Sequence, residues 1–328
     1  MNVAMVEAQA VTFRECFERL TGEIAHRFVG QPELVEDLLV CFFCEGHALI
    51  EGTPGLGKTL LVRTLSEALS LRFARVQCTP DLMPADITGA NLLVESPGAR
   101  PTFAFQPGPI FANVVLADEI NRATPRTQAA FLEAMQERHV TVFGTTHRIE
   151  EPFSVFATQN PIEMEGTYPL PEAQLDRFFF KLTARGPSGD ELAEIISRTT
   201  GVEQDDVVPQ FGGDVVRPCS RLIKQVKIAE PVMRLALRIV GATHPESADA
   251  PALVKRYVRY GASPRGAQAM ILAAKALALL SERFHVAVDD LRRVAQPALN
   301  HRIIRNFHAE MDRVDADAIV GAALSAIG

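Results

Sequence analysis

One eight-residue stretch, Gly52-Thr53-Pro54-Gly55-Leu56-Gly57-Lys58-Thr59, constrains this chain more than any other feature. It fits the pattern G-x-x-x-x-G-K-[ST] and stands between a short apolar run, Ala48-Leu49-Ile50-Glu51, and a long amphipathic stretch that begins at Lys58. Strand, glycine-rich loop and helix form the context that pattern requires. The glycines let backbone N–H groups turn inward around a phosphate, and the helix N-terminus adds its positive dipole end. Lys58 can then reach the β- and γ-phosphates of a nucleotide, and the Thr59 hydroxyl can ligate Mg2+. With both flanks present, an accidental glycine-rich turn is the poorer reading. The chain is expected to bind a nucleoside triphosphate.

The rest of the N-terminal half supports a sheet behind that loop. Residues 13–28 and 32–46 have helical spacing, broken at Gly30-Gln31-Pro32. Further strands are expected at Phe73–Cys78, Val114–Ala117 and Phe153–Thr158, with a helix over Pro125–Arg138 and a hairpin over Val140–Ile149. Residues 80–110, rich in Pro and Gly, read as an irregular insertion. Val114-Val115-Leu116-Ala117 is continuously apolar, as a strand covered on both faces should be. Such alternation implies a parallel sheet with helices on both sides, an α/β class.

Arg185-Gly186-Pro187-Ser188-Gly189 is the best linker candidate. Beyond it Asp190–Thr199, Met233–Thr243, Gly266–Arg283 and Val288–Asn300 read as helices, with no convincing strand. The expected division is an α/β nucleotide-binding domain over residues 1–186 and a smaller all-helical domain over 187–328.

Charge and cysteine content exclude several classes. Lys plus Arg total 33 against 40 Asp plus Glu, a net charge of −7, which argues against whole-surface binding to nucleic acid or anionic membrane. The N-terminal MNVAMVEAQAVTFRECFERL lacks a basic n-region and an apolar h-region, and no apolar run approaches the roughly 18–20 residues that span a bilayer. A soluble, cytoplasmic protein without membrane insertion is expected. Cys41 and Cys44 form a C-x-x-C, but no second Cys/His pair completes a metal site. Within Leu38-Leu39-Val40-Cys41-Phe42-Phe43-Cys44 the two read as small apolar core residues.

Two further places carry chemistry. The Val114–Ala117 strand runs into Asp118-Glu119. An Asp at a strand's C-terminal end beside the phosphate loop can hold Mg2+, and the Glu after it is placed to polarise an attacking water. A small-molecule kinase has no use for such a base. The Phe153–Thr158 strand continues into Gln159-Asn160-Pro161, where Asn160 either contacts the γ-phosphate and its water or starts an Asn-Pro turn.

At this point the residues resemble a family. Ala117-Asp118-Glu119-Ile120-Asn121-Arg122-Ala123 is similar to the signature of the MoxR family of AAA+ ATPases. So are Gly52 to Thr59, Phe105-Gln106-Pro107-Gly108-Pro109-Ile110, Ala157 to Pro161, Leu175-Asp176-Arg177-Phe178 and Gly261-Ala262-Ser263-Pro264-Arg265. The resemblance implies a phosphate-loop AAA+ parallel sheet sandwiched by helices and followed by a helical lid, with ATP and Mg2+ as ligands. It makes Asp118 the metal carboxylate, Glu119 the catalytic base and Asn160 the sensor 1 residue. Arg177 resembles the arginine finger that reaches a neighbouring subunit's γ-phosphate, and Arg265 resembles sensor 2, in cis or in trans. Without the resemblance both arginines would read as surface or salt-bridge residues. The 80–110 insertion and the Val140–Ile149 hairpin resemble the two inserts of the clade that includes magnesium chelatase and minichromosome-maintenance helicases.

The implied activity is ATP hydrolysis in a homo-oligomeric, six-membered ring that remodels, matures or inserts metal into a client protein. Its partner would be a von Willebrand A domain protein, encoded separately because this chain has no Asp-x-Ser-x-Ser. Rival readings are a nucleic-acid motor and a nucleotide-gated scaffold. The first is disfavoured by a hairpin with one Arg and no Lys, the second by the complete set of Lys58, Asp118, Glu119 and Asn160.

Overall fold

The computed structural model describes residues 3–94, 101–161, 166–201 and 206–327. Five parallel strands form the central sheet: β1 (Ala48–Glu51), β2 (Phe73–Gln77), β5 (Val114–Asp118), β8 (Ser154–Gln159) and β9 (Phe180–Thr183), in the order β2-β5-β8-β1-β9. The run Phe180-Lys181-Leu182-Thr183 had offered no strand signal to sequence reading, because four residues leave little periodicity to detect. It pairs with β1 in the register Ala48↔Phe180 to Glu51↔Thr183 and closes one edge of the sheet.

Both faces of the sheet are covered, which explains the uninterrupted apolar runs. Ala48, Ile50, Val114, Leu116 and Phe156 enter a core shared with α1 (Val3–Arg27), α2 (Pro32–Phe43) and α3 (Lys58–Ala68). Leu49, Val115, Ala117, Val155 and Ala157 enter a second core on the opposite face, with Phe131, Leu132 and Met135 of α5 (Pro125–Glu137). The alternation has the period of two that a strand imposes on its side chains.

The insertion at 80–110 is more regular than expected. It holds the short helix α4 (Pro84–Thr88) and an antiparallel pair, β3 (Gly89–Val94) with β4 (Thr102–Pro107); residues 95–100 lie outside the described set. Where the ribbon closes, Gly89 lies against the Gln106–Gly108 backbone so tightly that a Cβ there would sit 2.2 Å from the Gln106 carbonyl. The hairpin expected near 140–149 is β6 (His139–Val142) paired with β7 (Thr145–Arg148). Phe105 of β4 stacks on His147 of β7, ring centroids 3.7 Å apart, and joins the two ribbons.

After α6 (Glu172–Leu175) and β9, the chain is mainly helical. It forms α7 (Gly189–Thr199), α8 (Val216–Gln225), α9 (Glu230–Ala242), α10 (Ala252–Tyr257), α11 (Pro264–Leu280), α12 (Val288–Leu299), α13 (Phe307–Met311) and α14 (Ala316–Ile327). A two-stranded ladder, β10 (Val258–Tyr260) with β11 (Ile304–Arg305), corrects the expectation that no strand follows the linker. Residues of α8, α11, α12 and α14 share the first core with α1 and α2, so buried packing is continuous across Gly186. Among the described residues no helix is long and apolar enough to cross a membrane.

All five cysteines are unpaired and buried, Cys41 and Cys44 within the α2 core. Burial pushes both thiols well above their usual range, which suits small apolar side chains and not nucleophiles. His47 is buried at the start of β1, where its Nδ1 accepts the Val155 N–H at 2.9 Å. The proton is therefore on Nε2, which donates to the Met135 carbonyl at 3.2 Å. Burial first, then the nearby Arg138 charge, lowers the His47 pKa to about 3.

That depression has a consequence for stability. An unfolded chain takes up a proton near 6.5 that folded His47 refuses until about 3, so stability present at neutral pH is lost as pH falls through this window. Between pH 6.5 and 4.5 this residue alone should remove about 2–3 kcal/mol. Urea unfolding at both pH values, for the protein and for His47→Gln, is expected to show a smaller pH dependence in the variant. Equal dependence would mean that His47 is not held neutral.

Candidate functional site

Parallel pairing aligns the C-terminal ends of the strands, and the candidate residues gather at that edge. The register places Glu51 opposite Gln159 and Gln77 opposite Asp118. Thus the 52–59 loop, Asp118-Glu119 and Asn160 emerge side by side, as ligand sites do in open α/β sheets.

Within the loop, Gly55 and Gly57 adopt φ of 85° and 75°, which side chains rarely tolerate. A Cβ on Gly52 would stand 2.9 Å from the Ala184 carbonyl. The loop is thus a cradle that needs glycine for backbone conformation at Gly55 and Gly57 and for close approach at Gly52. Helix α3 starts after Gly57 with no side-chain cap, so its first N–H groups face the cradle, the usual arrangement for binding phosphate. Lys58 folds back into it and donates from Nζ to the carbonyls of Gly52 and, at 3.3 Å, of Thr53. Burial lowers the Lys58 pKa, while Asp118, Glu119 and Glu51 act to raise it.

Asp118 and Glu119 are ordered by one hydroxyl. Thr158 Oγ1 donates to Asp118 Oδ1 at 2.6 Å and accepts the Glu119 N–H at 2.8 Å. Arg75 donates to the other oxygen, Asp118 Oδ2, from Nε at 3.0 Å and Nη2 at 2.7 Å. Glu119 has a left-handed backbone, φ 56° and ψ 51°, which turns it out of the strand. Its Oε2 accepts from Gln77 Nε2 at 2.9 Å and lies 3.2 Å from Arg122 Nη1. Asn160 is buried beside them. The Asp118 carboxylate and the Thr59 hydroxyl are oxygen donors of the kind Mg2+ prefers.

Beside the loop a cavity of about 830 Å3 opens between the end of α1, the 28–31 turn and α7. Its apolar lining includes Phe28, Val29, Leu56, Leu60, Ile195 and Val208, dimensions and chemistry that fit the base and ribose of a nucleotide. Arg198 of α7 fixes one wall by donating to the Ala25 and His26 carbonyls at 2.9 and 2.7 Å.

Arg177 and Arg265 are not part of this constellation. Neither forms a hydrogen bond or ion pair with Lys58, Asp118 or Glu119. Arg177 is half-buried, donates from Nη1 to the Leu132 carbonyl at 3.0 Å, and has a buried Nε without a partner among the described residues. Arg265 reaches Asp176 Oδ2 at 3.4 Å. Arg265 is thus bound to the residue that precedes Arg177 in sequence, while the Arg177 side chain turns to the Leu132 carbonyl. Sequence reading missed Arg75, Gln77 and Thr158, which reach their partners only through the fold. Thr158 and Asp176 lay inside quoted motifs without a role.

Comparison with known proteins agrees with this geometry. The family model described as "ATPase family associated with various cellular activities (AAA)" matches residues 47–180, and that of the "AAA lid domain" matches 250–322. The chain is 39% identical over 310 residues to Chaperone MoxR1 of Mycobacterium tuberculosis, covering 94% of this chain and 81% of that one. It is 32% identical to Protein MoxR of Paracoccus denitrificans, over 89% and 88% of the two chains, and 40% identical to the uncharacterised Bacillus subtilis protein YeaC, over 91% and 90%. A crystal structure of a candidate ATPase from Cytophaga hutchinsonii superposes with a TM-score of 0.93 at 36% identity, covering 100% of this chain and 99% of that one.

Proposed function

Because this chain belongs to the MoxR family of AAA+ ATPases, we propose that it hydrolyses ATP with Mg2+ in an oligomeric ring and uses the energy to remodel a client protein. The observation that carries the reading is the convergence of the Gly52–Thr59 cradle, Asp118, Glu119 and Thr158 at one sheet edge beside an apolar cavity. Lys58, released from the loop carbonyls, binds the β- and γ-phosphates. Asp118 and Thr59 would hold Mg2+, which would supply charge neutralisation on the phosphates. Glu119 takes the proton of the attacking water, and Asn160 orients that water. The residues up to about 186 form the nucleotide-binding body and those after it the lid.

Arg177 completes the site of a neighbouring subunit in this reading. Its lack of contact with its own chain's Lys58, Asp118 and Glu119 supports a role in trans. Arg265 shares Asp176 with that segment, which favours the same face for sensor 2. Six subunits and a separately encoded von Willebrand A partner follow from the family resemblance. Cytoplasmic residence belongs to the same reading.

A polypeptide client is favoured over nucleic acid by the two ribbons. Phe143 at the β6–β7 turn is 84% exposed and Phe103 on β4 is 74% exposed, with Leu92 and Leu93 exposed nearby. Neither ribbon carries a lysine among the described residues, so both offer apolar contacts and little charge for a phosphate backbone.

Calorimetry on Lys58→Ala is the first test. Removing the ammonium should weaken ATP binding about 10–100-fold, the worth of one charged hydrogen bond. Phosphate release by the unmodified protein should stop when Mg2+ is chelated. Unchanged ATP affinity in the variant would sink the assignment of the loop.

A further inference from the structure

Arg302 is the only arginine among the described residues that is fully buried, with 2% of its side chain exposed. A guanidinium has five N–H donors, and burying it leaves a large cost unless all are satisfied. Here all five are used. Nε donates to Asp176 Oδ1 at 3.0 Å. Nη1 donates to the carbonyls of Phe179, at 3.2 Å, and Ala298. Nη2 donates to the carbonyls of Asp176 at 3.2 Å and Phe178 at 2.5 Å. Four of the five bonds therefore hold residues 176–179, on both sides of Arg177. The preceding residue, His301, adds a fifth contact, its Nε2 facing the Phe178 carbonyl at 3.0 Å.

Asp176 is the hinge of the same network. Its Oδ1 also accepts from Ser263 Oγ at 2.5 Å, and its Oδ2 takes Arg265 Nη1 at 3.4 Å. Three donors from the helical segment thus meet on one carboxylate, next in sequence to Arg177. The inner oxygen is held by buried or half-buried groups, the outer one by an exposed arginine at longer range.

We propose that Arg302 and Asp176 form a latch that positions Arg177 from the helical segment, so that the segment and the trans-acting arginine move as one piece. The inference rests on reading Arg177 as the residue that completes a neighbour's site. The 300–302 turn cannot shift without carrying the 176–179 backbone, because four hydrogen bonds from one rigid fork would break together. Movement of the helical segment on nucleotide binding is in this way transmitted to the adjoining subunit's active site. Arg302 and Asp176 act through Arg177; neither touches the subunit's own phosphate cradle.

The test uses Asp176→Asn, which removes the charge but keeps the shape, and Arg302→Lys, which keeps the charge but loses the fork. Circular dichroism melts select folded variants. Each should bind a fluorescent ATP analogue within about threefold of the unmodified protein, since its own cradle is intact. Each should hydrolyse ATP at least about tenfold more slowly, because the arginine that serves the neighbour is misplaced. Mixing either variant with an equal amount of Glu119→Gln, whose latch is intact, should restore hydrolysis at interfaces that combine an intact site with an intact arginine. Arg177→Ala is mixed in parallel as the reference. Wild-type hydrolysis by a folded latch variant overturns the proposal, and so does a deficit that mixing fails to restore when Arg177→Ala is restored. If Arg177→Ala alone hydrolyses like the unmodified protein, the trans-arginine reading itself falls and the latch falls with it.

Discussion

Glu119→Gln is expected to lower ATP turnover by roughly two to four orders of magnitude, the worth of a positioned general base, with nucleotide affinity and Mg2+ dependence retained. The substitution is close to isosteric. Residue 119 keeps its backbone bond to Thr158, and the amide oxygen can still accept from Gln77, so the turn out of β5 should survive. What disappears is the group able to take a proton from water. Single-turnover phosphate release measures the chemical step, and titration with a fluorescent ATP analogue measures binding. Hydrolysis at the unmodified rate would place the base elsewhere. Loss of affinity would instead make Glu119 a ground-state contact.

Arg177→Ala should fail at a different place, and the difference is measurable. Stabilising transition-state charge with an arginine supplied by a neighbour is worth roughly three to five orders of magnitude in the reactions that use one. Arg177→Ala is therefore expected to bind ATP normally and hydrolyse it poorly. In an equal mixture with Glu119→Gln, a head-to-tail interface that joins the site of an Arg177→Ala subunit to the arginine of a Glu119→Gln subunit has every part. Random assembly gives that arrangement at about a quarter of interfaces, half times half, so activity should reappear up to about that fraction of the unmodified rate. Mixing each variant with unmodified protein calibrates any cooperativity between sites. Subunit exchange without recovery of activity would show that Arg177 does not act in trans. The single-chain geometry accords with the expected outcome: Arg177 spends one donor on the Leu132 carbonyl, leaves Nε unpartnered among the described residues, and makes no bond to its own cradle.

The parts of this protein that were legible in the amino-acid sequence are those whose geometry is set by neighbours along the chain. The cradle is one: eight consecutive residues contain its glycines, its lysine and its hydroxyl, and the flanking strand and helix are each continuous apolar patterns. Asp118-Glu119 is another, because a buried strand that ends in two carboxylates presents them at the sheet edge whatever its partners are. The core role of Cys41 and Cys44 followed from the apolar run around them in the same way.

Tertiary structure decided the rest. The four residues of β9 become a strand by pairing with β1, more than a hundred residues earlier, and the 80–110 insertion becomes a ribbon by closing on itself around Gly89. Thr158 orders Asp118 and Glu119 from the next strand, across a separation of 40 residues from Asp118. Arg302 brackets Arg177 from 126 residues away from Asp176. No local pattern announces such contacts, since a hydrogen bond between distant residues depends on sheet order and helix packing, which emerge only when all the apolar faces are buried together. Thus the residues of the candidate phosphate site were written locally, whereas the partners that order its acids and the attachment of residues 176–179 to the helical segment exist only in the folded chain.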